Sequence, residues 1–444
     1  MKFGIRSEDK SQWERRVPLV PADLKALRDA GIATVVQASS RRAFADTEFA
    51  SAGVPVQEDL SDCDVIIGIK EIPPAKLEAG KIYLFFSHVI KGQPANMPML
   101  RRLLELKTTL IDYERIVDEK NRRLIFFGRH AGLAGMINTL WALGKRLEVE
   151  GVSSPFSRLK QARSYADLSG AGEDLERIAA AIQKDGVPDA VHPLVVGITG
   201  YGNVSRGAQE ILGRLPLETL RPAELRAAAH DRSRSRKAIH QVVFAEGDWV
   251  EPAEAGAAFD LDDYYRRGKD GYRGVFERYV DHLSVLVNGI YWDDRYPRLL
   301  TLEQCRRIWA AGRHPKLKVI GDISCDVNGS IECTVKATEP GHPVYVYEPA
   351  AGRATDGFAG HGPVMMAVDI LPAEIPRDAS VEFSRVLQRL LPELNRADFS
   401  EGFEALRLPA ELKRAVIVYR GELTPDYAYL KPSLEPQADP AKRG

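Results

Sequence analysis

Two short apolar runs near the amino terminus each end on a side chain that can carry a proton. Asp64-Val-Ile-Ile-Gly-Ile-Lys70 ends on Lys70, and Ile82-Tyr-Leu-Phe-Phe-Ser-His88 ends on His88. A short unbroken apolar run is the mark of a strand buried on both faces of an α/β sheet. Ligands in such sheets sit beyond the carboxyl ends of the strands, so Lys70 and His88 should face one crevice. An ammonium at the end of such a run should be partly desolvated, and an unperturbed imidazole titrates at about 6.5. The pair suits acid–base work.

Other charged groups fall at comparable places. Arg15 and Arg16 of Trp13-Glu-Arg-Arg-Val-Pro18 lie in the loop after a first strand, where adjacent arginines suit bidentate capture of a carboxylate. Asp112, Glu114 and Asp118 follow another strand, and Arg122-Arg123 precede the run Leu124-Ile-Phe-Phe127. Taken singly, each is an ordinary solvated charge. Together they are what imine chemistry on an anionic keto acid needs: arginines for carboxylates, and a Lys/His pair to move protons.

A hydride donor is suggested farther along. Gly200-Tyr-Gly202-Asn203-Val204-Ser205-Arg-Gly207 follows a strand pattern and opens a helix pattern, the context of the dinucleotide fingerprint. Gly200 would make the tight turn. Gly202 would let the backbone approach a diphosphate resting on the helix start, with Asn203 and Val204 in its first turn. The third position is Ser205 rather than Gly or Ala. About 20 residues on, where an acid would bind the adenine ribose of NAD, the segment Leu217-Glu-Thr-Leu-Arg221 ends on Arg221. Arg221 suits a 2′-phosphate and tilts the reading to NADP, with NAD as the alternative through the nearby Glu218.

The elements that must position these groups alternate. Strands are read at 2–6, 33–37, 64–70, 82–88, 109–112 and 124–127, with helices at 21–30, 46–52 and 99–106 between them. A long helix is read from Gly132 to Leu147. A second unit follows, with strands at 194–198, 217–221, 285–291 and 317–323 and a helix at 207–212. Residues 250–275 read as an insertion, 381–391 as a helix, and the tail from Pro432 as loose. Such alternation implies parallel sheets covered on both faces.

Composition sets the bounds. The 444 residues suggest two or three domains, and 61 basic against 62 acidic residues remove the electrostatic case for a nucleic-acid binder. No apolar stretch reaches the ~18 residues of a membrane span, and no signal-peptide core is present, so a cytoplasmic location is expected. Cys63, Cys305, Cys325 and Cys333 have no metal-site spacing and read as reduced thiols, and no metal is expected.

Longer segments carry a resemblance. They include Gly68-Ile-Lys-Glu71, Phe85-Phe-Ser-His-Val-Ile-Lys91, Ala131-Gly-Leu-Ala-Gly-Met-Ile-Asn138, Thr199 to Ala208, Val287-Asn-Gly-Ile-Tyr-Trp292 and Asp322-Ile-Ser324. In these the chain resembles, nearly end to end, the lysine-forming saccharopine dehydrogenases, or lysine–ketoglutarate reductases. It looks most like the reductase half of the bifunctional aminoadipic semialdehyde synthases. The match departs at Arg129 and His130.

The resemblance implies an α/β fold of alanine dehydrogenase type: two Rossmann-like domains with parallel sheets and an active site in the interdomain cleft. The first domain would be discontinuous, residues 1–134 plus about 361–444, and the dinucleotide domain about 135–360. It implies NADPH-dependent condensation of L-lysine with 2-oxoglutarate to saccharopine, in lysine breakdown. Lys70 and His88 would be the acid–base pair, and Arg16 and Arg123 keto-acid ligands. Glu114 and Asp118 would tune the site or meet the amino acid, with Asp322 near the nicotinamide. The chain would be a free-standing reductase whose functional partner is a separate glutamate-forming saccharopine dehydrogenase. The alternatives are another imine-reducing amino-acid dehydrogenase of the alanine dehydrogenase type, and a catalytically silent nucleotide-binding regulator.

Overall fold

The structure is a computed structural model that describes residues 1–313 and 315–435. It divides into two compact units, Met1–Phe127 with Pro376–Gly444, and Gly128–Ile375. In chain order the strands are β1 (Lys2–Ile5), β2 (Ala33–Gln37), β3 (Val56–Gln57), β4 (Val65–Ile67), β5 (Ile82–Phe85) and β6 (Thr109–Asp112). Next come β7 (Val195–Thr199), β8 (Leu217–Leu220), β9 (Ile239–Phe244), β10 (Val250–Pro252), β11 (Tyr272–Gly274) and β12 (Val285–Asn288). The last are β13 (Val319–Asp322), β14 (Val344–Glu348), β15 (Arg353–Asp356), β16 (Val364–Met366), β17 (Val416–Tyr419) and β18 (Glu422–Leu423).

The first unit is one sheet in the order β18-β17-β6-β5-β4-β1-β2-β3. From β6 to β3 every pairing is parallel, whereas β17 runs antiparallel to β6 and β18 antiparallel to β17. The central strands are short apolar runs because both faces are covered; all four residues of β5 are buried. The helix Pro21–Asp29 starts with proline in its first turn, where the missing N–H is no loss, and buries Leu24 and Leu27 at a spacing of three. Met97–Glu105 likewise buries Met97, Leu100 and Leu103.

Leu124–Phe127, read as a strand, is not one. Arg123 makes an isolated bridge to Val117, and the chain then runs straight into a helix. The free edge of β6 is taken by β17, so this run finds no place beside β6. Its residues pack as a plug instead: Ile125 is buried in the first core and Phe127 stacks on Phe383 with ring centroids 4.9 Å apart. The carboxy-terminal helix also starts earlier than read, at Pro376, and ends at Leu387. Of the tail read as loose, Lys431–Leu434 form a short helix, and residues 436–444 lie outside the described residues.

The second unit has the sheet order β15-β14-β16-β13-β12-β7-β9-β8. From β8 to β16 the strands are parallel, and β14 and β15 extend that edge antiparallel. The long helix spans Gly128–Val149 rather than 132–147, and fourteen of its residues are buried. It packs along its whole length in this unit, which moves the boundary to 127/128 from the expected 134. The far boundary moves from about 360 to 375/376, because β16 pairs with β13 inside this sheet. Residues 250–275 form the antiparallel pair β10–β11 with the helix Leu261–Arg267 between its strands. The four cysteines are free thiols. Among the described residues no helix is long and apolar enough to cross a membrane.

Candidate active site

In the first unit, neighbouring strands β1, β4, β5 and β6 bring four loops to one sheet edge. β4 and β5 pair from Val65↔Ile82 to Ile67↔Leu84, and Phe86 N continues the ladder by donating to Ile69 O at 3.0 Å. Lys70 and His88 therefore leave adjacent parallel strands at the same level, as their pattern suggested. His88 sits in the left-handed region at φ 50°, a conformation costly for a residue with a Cβ and met mostly where surrounding contacts impose it. Asn96 Nδ2 donates to the His88 carbonyl at 3.0 Å, and the His88 ring stacks on Phe86.

Glu71 is the residue that joins the two loops. Its Oε1 lies 2.8 Å from His88 Nδ1, which leaves Nε2 as the other position from which His88 can exchange a proton. Burial works to raise the Glu71 carboxyl. The hydrogen bond from His88 and the nearby charges of His88 and Lys10 outweigh it and pull the carboxyl down to about 2. By sequence alone Glu71 is only a neighbour of Lys70. Its position directly after Lys70 was the available signal, and only the β4–β5 register shows that it turns to His88.

Two further carboxylates were missed. Glu8, in the loop after β1, accepts from the backbone N–H of Ile69 at 2.7 Å and of Lys70 at 3.1 Å, and so holds the Lys70 turn. Its complete burial raises it to about 7 in spite of Arg6, with Glu14 adding to the rise. Glu14 holds Arg16 through a buried fork, with Nε at 2.8 Å from Oε1 and Nη2 at 2.5 Å from Oε2. Burial works to raise Glu14 too, but Arg16 and the Lys70 charge together keep it below its ordinary range.

Arg16 also stacks over the Phe127 ring, 4.1 Å from its centroid. The loop that carries Arg16 is pinned from the carboxy-terminal segment: Val17 N donates to Ser380 Oγ at 2.9 Å and Val20 N to Ser384 Oγ at 3.0 Å.

The remaining expected ligands form pairs after β6. Arg123 Nη2 donates to Glu114 Oε1 at 2.7 Å. Asp118 accepts from Lys120 N and Arg122 N and bonds the Arg122 side chain at 2.7 Å, so it organises its own turn. Asp112 is fully buried at the end of β6 and accepts from Ser87 Oγ and from Glu114 N; burial pushes it up to about 6.

In the second unit the glycine turn joins β7 to the helix Asn203–Leu212. Gly200 has φ 82°, which only glycine adopts freely, and a Cβ there would meet Ile290 at 3.1 Å. At Gly202 a Cβ would meet nothing within 4 Å, and no side chain caps this helix start. Its first N–H groups are thus available to a diphosphate, so the residues present fit a dinucleotide. Ser205 is buried, yet the close approach usually made by a third glycine belongs to Gly207. A Cβ at Gly207 would lie 2.1 Å from Arg129 O, and one at Gly132 would lie 1.9 Å from Val204 O. The departure at Arg129 falls in this seam, where Arg129 forks onto Glu210 at 2.8–3.0 Å.

Asp322, at the end of β13, is fully buried. Asn288 Nδ2 reaches it at 2.8 Å, Ser324 Oγ at 2.7 Å and Thr334 Oγ1 at 2.5 Å. Thr199 Oγ1 donates to Asn288 Oδ1 at 2.8 Å, so the ends of β7, β12 and β13 are tied into one network. Asp322 organises these strand ends.

Arg221 is not beside the glycine turn. The strand next to β7 is β9, and β8, which Arg221 follows, lies beyond it at the sheet edge. Arg221 is exposed and pairs with Glu224 at 2.7 Å. The expectation that β8 would adjoin β7 assumed that strands follow one another in space as they do in sequence.

Comparison with known proteins gives a consistent picture. Residues 4–134 match the family model for the alanine dehydrogenase/PNT N-terminal domain. The chain is 37% identical over 445 residues to the α-aminoadipic semialdehyde synthase of Arabidopsis thaliana, covering 96% of this chain and 41% of that protein. It is 26% identical to a saccharopine dehydrogenase (NAD(+), L-lysine-forming) of Emericella nidulans, covering 88% of this chain and 92% of that protein. Among solved structures it is similar to an L-alanine dehydrogenase, with a TM-score of 0.61 at 18% identity, covering 98% of this chain and all of the other. That likeness shows the fold. The chain spans under half the length of the semialdehyde synthases it matches.

Proposed function

The chain is homologous to the α-aminoadipic semialdehyde synthases and the lysine-forming saccharopine dehydrogenases, and from that premise we propose that it reduces an imine formed between L-lysine and 2-oxoglutarate, giving saccharopine. The observation that carries the reading is the Glu71–His88 pair beside Lys70 at the ends of β4 and β5. With Arg16 and Arg123 it is an acid–base pair next to cations that suit a dicarboxylate keto acid.

The lysine ε-amine adds to the keto carbon, and the carbinolamine loses water to give an iminium. These steps need one group to take a proton from the attacking amine and return it to the departing oxygen. Lys70 and His88 would make that exchange, with His88 using Nε2 while Glu71 holds Nδ1. Arg16, fixed by Glu14 along one edge of its guanidinium, and Arg123 would take the keto-acid carboxylates. Glu114, paired with Arg123, and Asp118, paired with Arg122, would tune the site or meet the amino-acid substrate. Gly200, Gly202 and the first turn from Asn203 would hold a nicotinamide dinucleotide, whose chemistry would be the hydride that completes the reduction. The product is a secondary amine, which a separate dehydrogenase would consume.

The test mixes purified protein with reduced nicotinamide dinucleotide, lysine and 2-oxoglutarate and follows the nicotinamide absorbance. Oxidation that needs both substrates, with saccharopine identified by mass, is expected. Oxidation with ammonia and pyruvate instead would replace lysine by a smaller amine. Nucleotide binding without any turnover would make the chain a regulator.

A further inference from the structure

In a doubly wound sheet, the residue at the end of the strand adjoining the first βα turn meets the adenine ribose and reads its 2′ position. The strand order of the second unit decides which residue that is. β7 and β9 pair in register from Val195↔His240 to Thr199↔Phe244. Gly200 N, in the glycine turn, continues the ladder by donating to Phe244 O at 3.0 Å. Two residues beyond Phe244 is Glu246.

Glu246 is half-buried and faces that turn. Its Oε1 accepts from Tyr265 OH at 2.8 Å and from Tyr201 OH at 3.5 Å, and Tyr201 stands between the two glycines of the turn. Gly200, Tyr201, Gly202, Glu246, Tyr265 and Gly289 line a cavity of about 210 Å³. Among the described residues lining it there is no lysine, arginine or histidine.

We propose that Glu246 is the residue that selects the dinucleotide, and that this chain takes NAD(H) in preference to NADP(H). The inference rests on the reading that the glycine turn holds a nicotinamide dinucleotide. A carboxylate accepts the hydrogen of a ribose 2′-hydroxyl, whereas a 2′-phosphate would bring a second anion against Glu246 in a cavity that lines no cation opposite it. Tyr265 and Tyr201 hold the carboxylate in place and cannot neutralise it. Arg221 does not offset the repulsion, because it lies beyond β9 on the edge strand and is engaged by Glu224.

The experiment titrates the full chain with NADH and with NADPH, without substrates, and reads nicotinamide fluorescence and melting temperature. NADH is expected to bind roughly 10- to 100-fold more tightly, a difference of one to two decades in Kd. Glu246→Arg should reverse the order, and Glu246→Ser should bring the two affinities close together while its melting temperature reports that it is folded. Arg221→Ala should change neither affinity. Equal or tighter binding of NADPH by the unaltered chain overturns the proposal and leaves the dinucleotide reading standing. So does a selective loss of NADPH binding in Arg221→Ala. Binding of neither nucleotide overturns both.

Discussion

The Glu71 carboxylate lies 2.8 Å from His88 Nδ1 and one residue after Lys70, so a single side chain ties together the two loops that carry the proposed acid–base groups. Two adjacent parallel strands bring the loops to one level, and Glu8 fixes the Lys70 turn from a third. Lys70→Met and His88→Gln should each lower turnover by about 100-fold or more, within the range that a positioned acid or base contributes. Dinucleotide affinity should be unchanged, since the groups that would hold the dinucleotide are Gly200, Gly202 and the first turn from Asn203. Glu71→Gln should lower kcat less, by about 10- to 100-fold, with Glu71→Asp restoring part of it. Steady-state kinetics with a parallel nucleotide titration checks this; loss of nucleotide affinity in all three would move Lys70 and His88 out of proton transfer.

Arg16 and Glu14 form a buried ion pair, so removing one partner strands the other. Arg16→Ala should destabilise by about 3–5 kcal/mol, because Glu14 would be left as an unpaired buried charge. Arg16→Ala with Glu14→Gln should recover much of that loss without recovering keto-acid binding. Thermal melts of the single and double variants, together with KM for 2-oxoglutarate, separate the two effects. A double variant with normal KM would assign Arg16 to structure alone.

Glu374 carries a pH dependence of stability. It is buried among Asn138, Gln161 and the backbone of Arg163, and burial raises it from 4.5 to about 7 against those hydrogen bonds. Between pH 4.5 and 7 the unfolded chain has lost this proton and the native chain still holds it. Stability from this group is therefore full below 4.5 and falls as pH rises through 7, by on the order of a few kcal/mol. Glu374→Gln should flatten that fall, so its melting temperature relative to the unaltered chain rises across the window. A constant difference from pH 4.5 to 7 would show that Glu374 does not titrate there.

The seam between the helices Gly128–Val149 and Asn203–Leu212 has no room for a methyl group at Gly207, where a Cβ would lie 2.1 Å from a backbone oxygen. Gly207→Ala should cost at least the roughly 1–3 kcal/mol of ordinary overpacking and displace the start of the nucleotide helix. A lowered melting temperature with weakened dinucleotide binding is expected. Gly202→Ala meets no neighbouring atom and should leave the melting temperature nearly unchanged.

The sequence by itself determined the features written locally. The apolar runs ending on Lys70 and His88, the helix at 21–30 and the strand–glycine–helix turn at Gly200 are set by periodicity and turn chemistry within a few residues, and the structure has each of them, with the two strands ending at Ile67 and Phe85, three residues short of Lys70 and His88, and the helix ending at Asp29. The tertiary structure decided what depends on which distant segments meet. Leu124–Phe127 has the composition of a strand but no place beside β6, since β17 arrives from nearly three hundred residues away to take it. Ser380 and Ser384 pin the Arg16 loop from a segment whose sequence shows no such role. Counted along the chain, Arg221 has the claim on the ribose, about 20 residues after the turn, and Glu246 lies far outside that spacing. The placement of β9 between β7 and β8 sets Glu246 beside the turn and Arg221 a strand farther out. Strand pairing is a choice among partners far apart in sequence, made by the burial of whole sheet faces, and no local pattern encodes it.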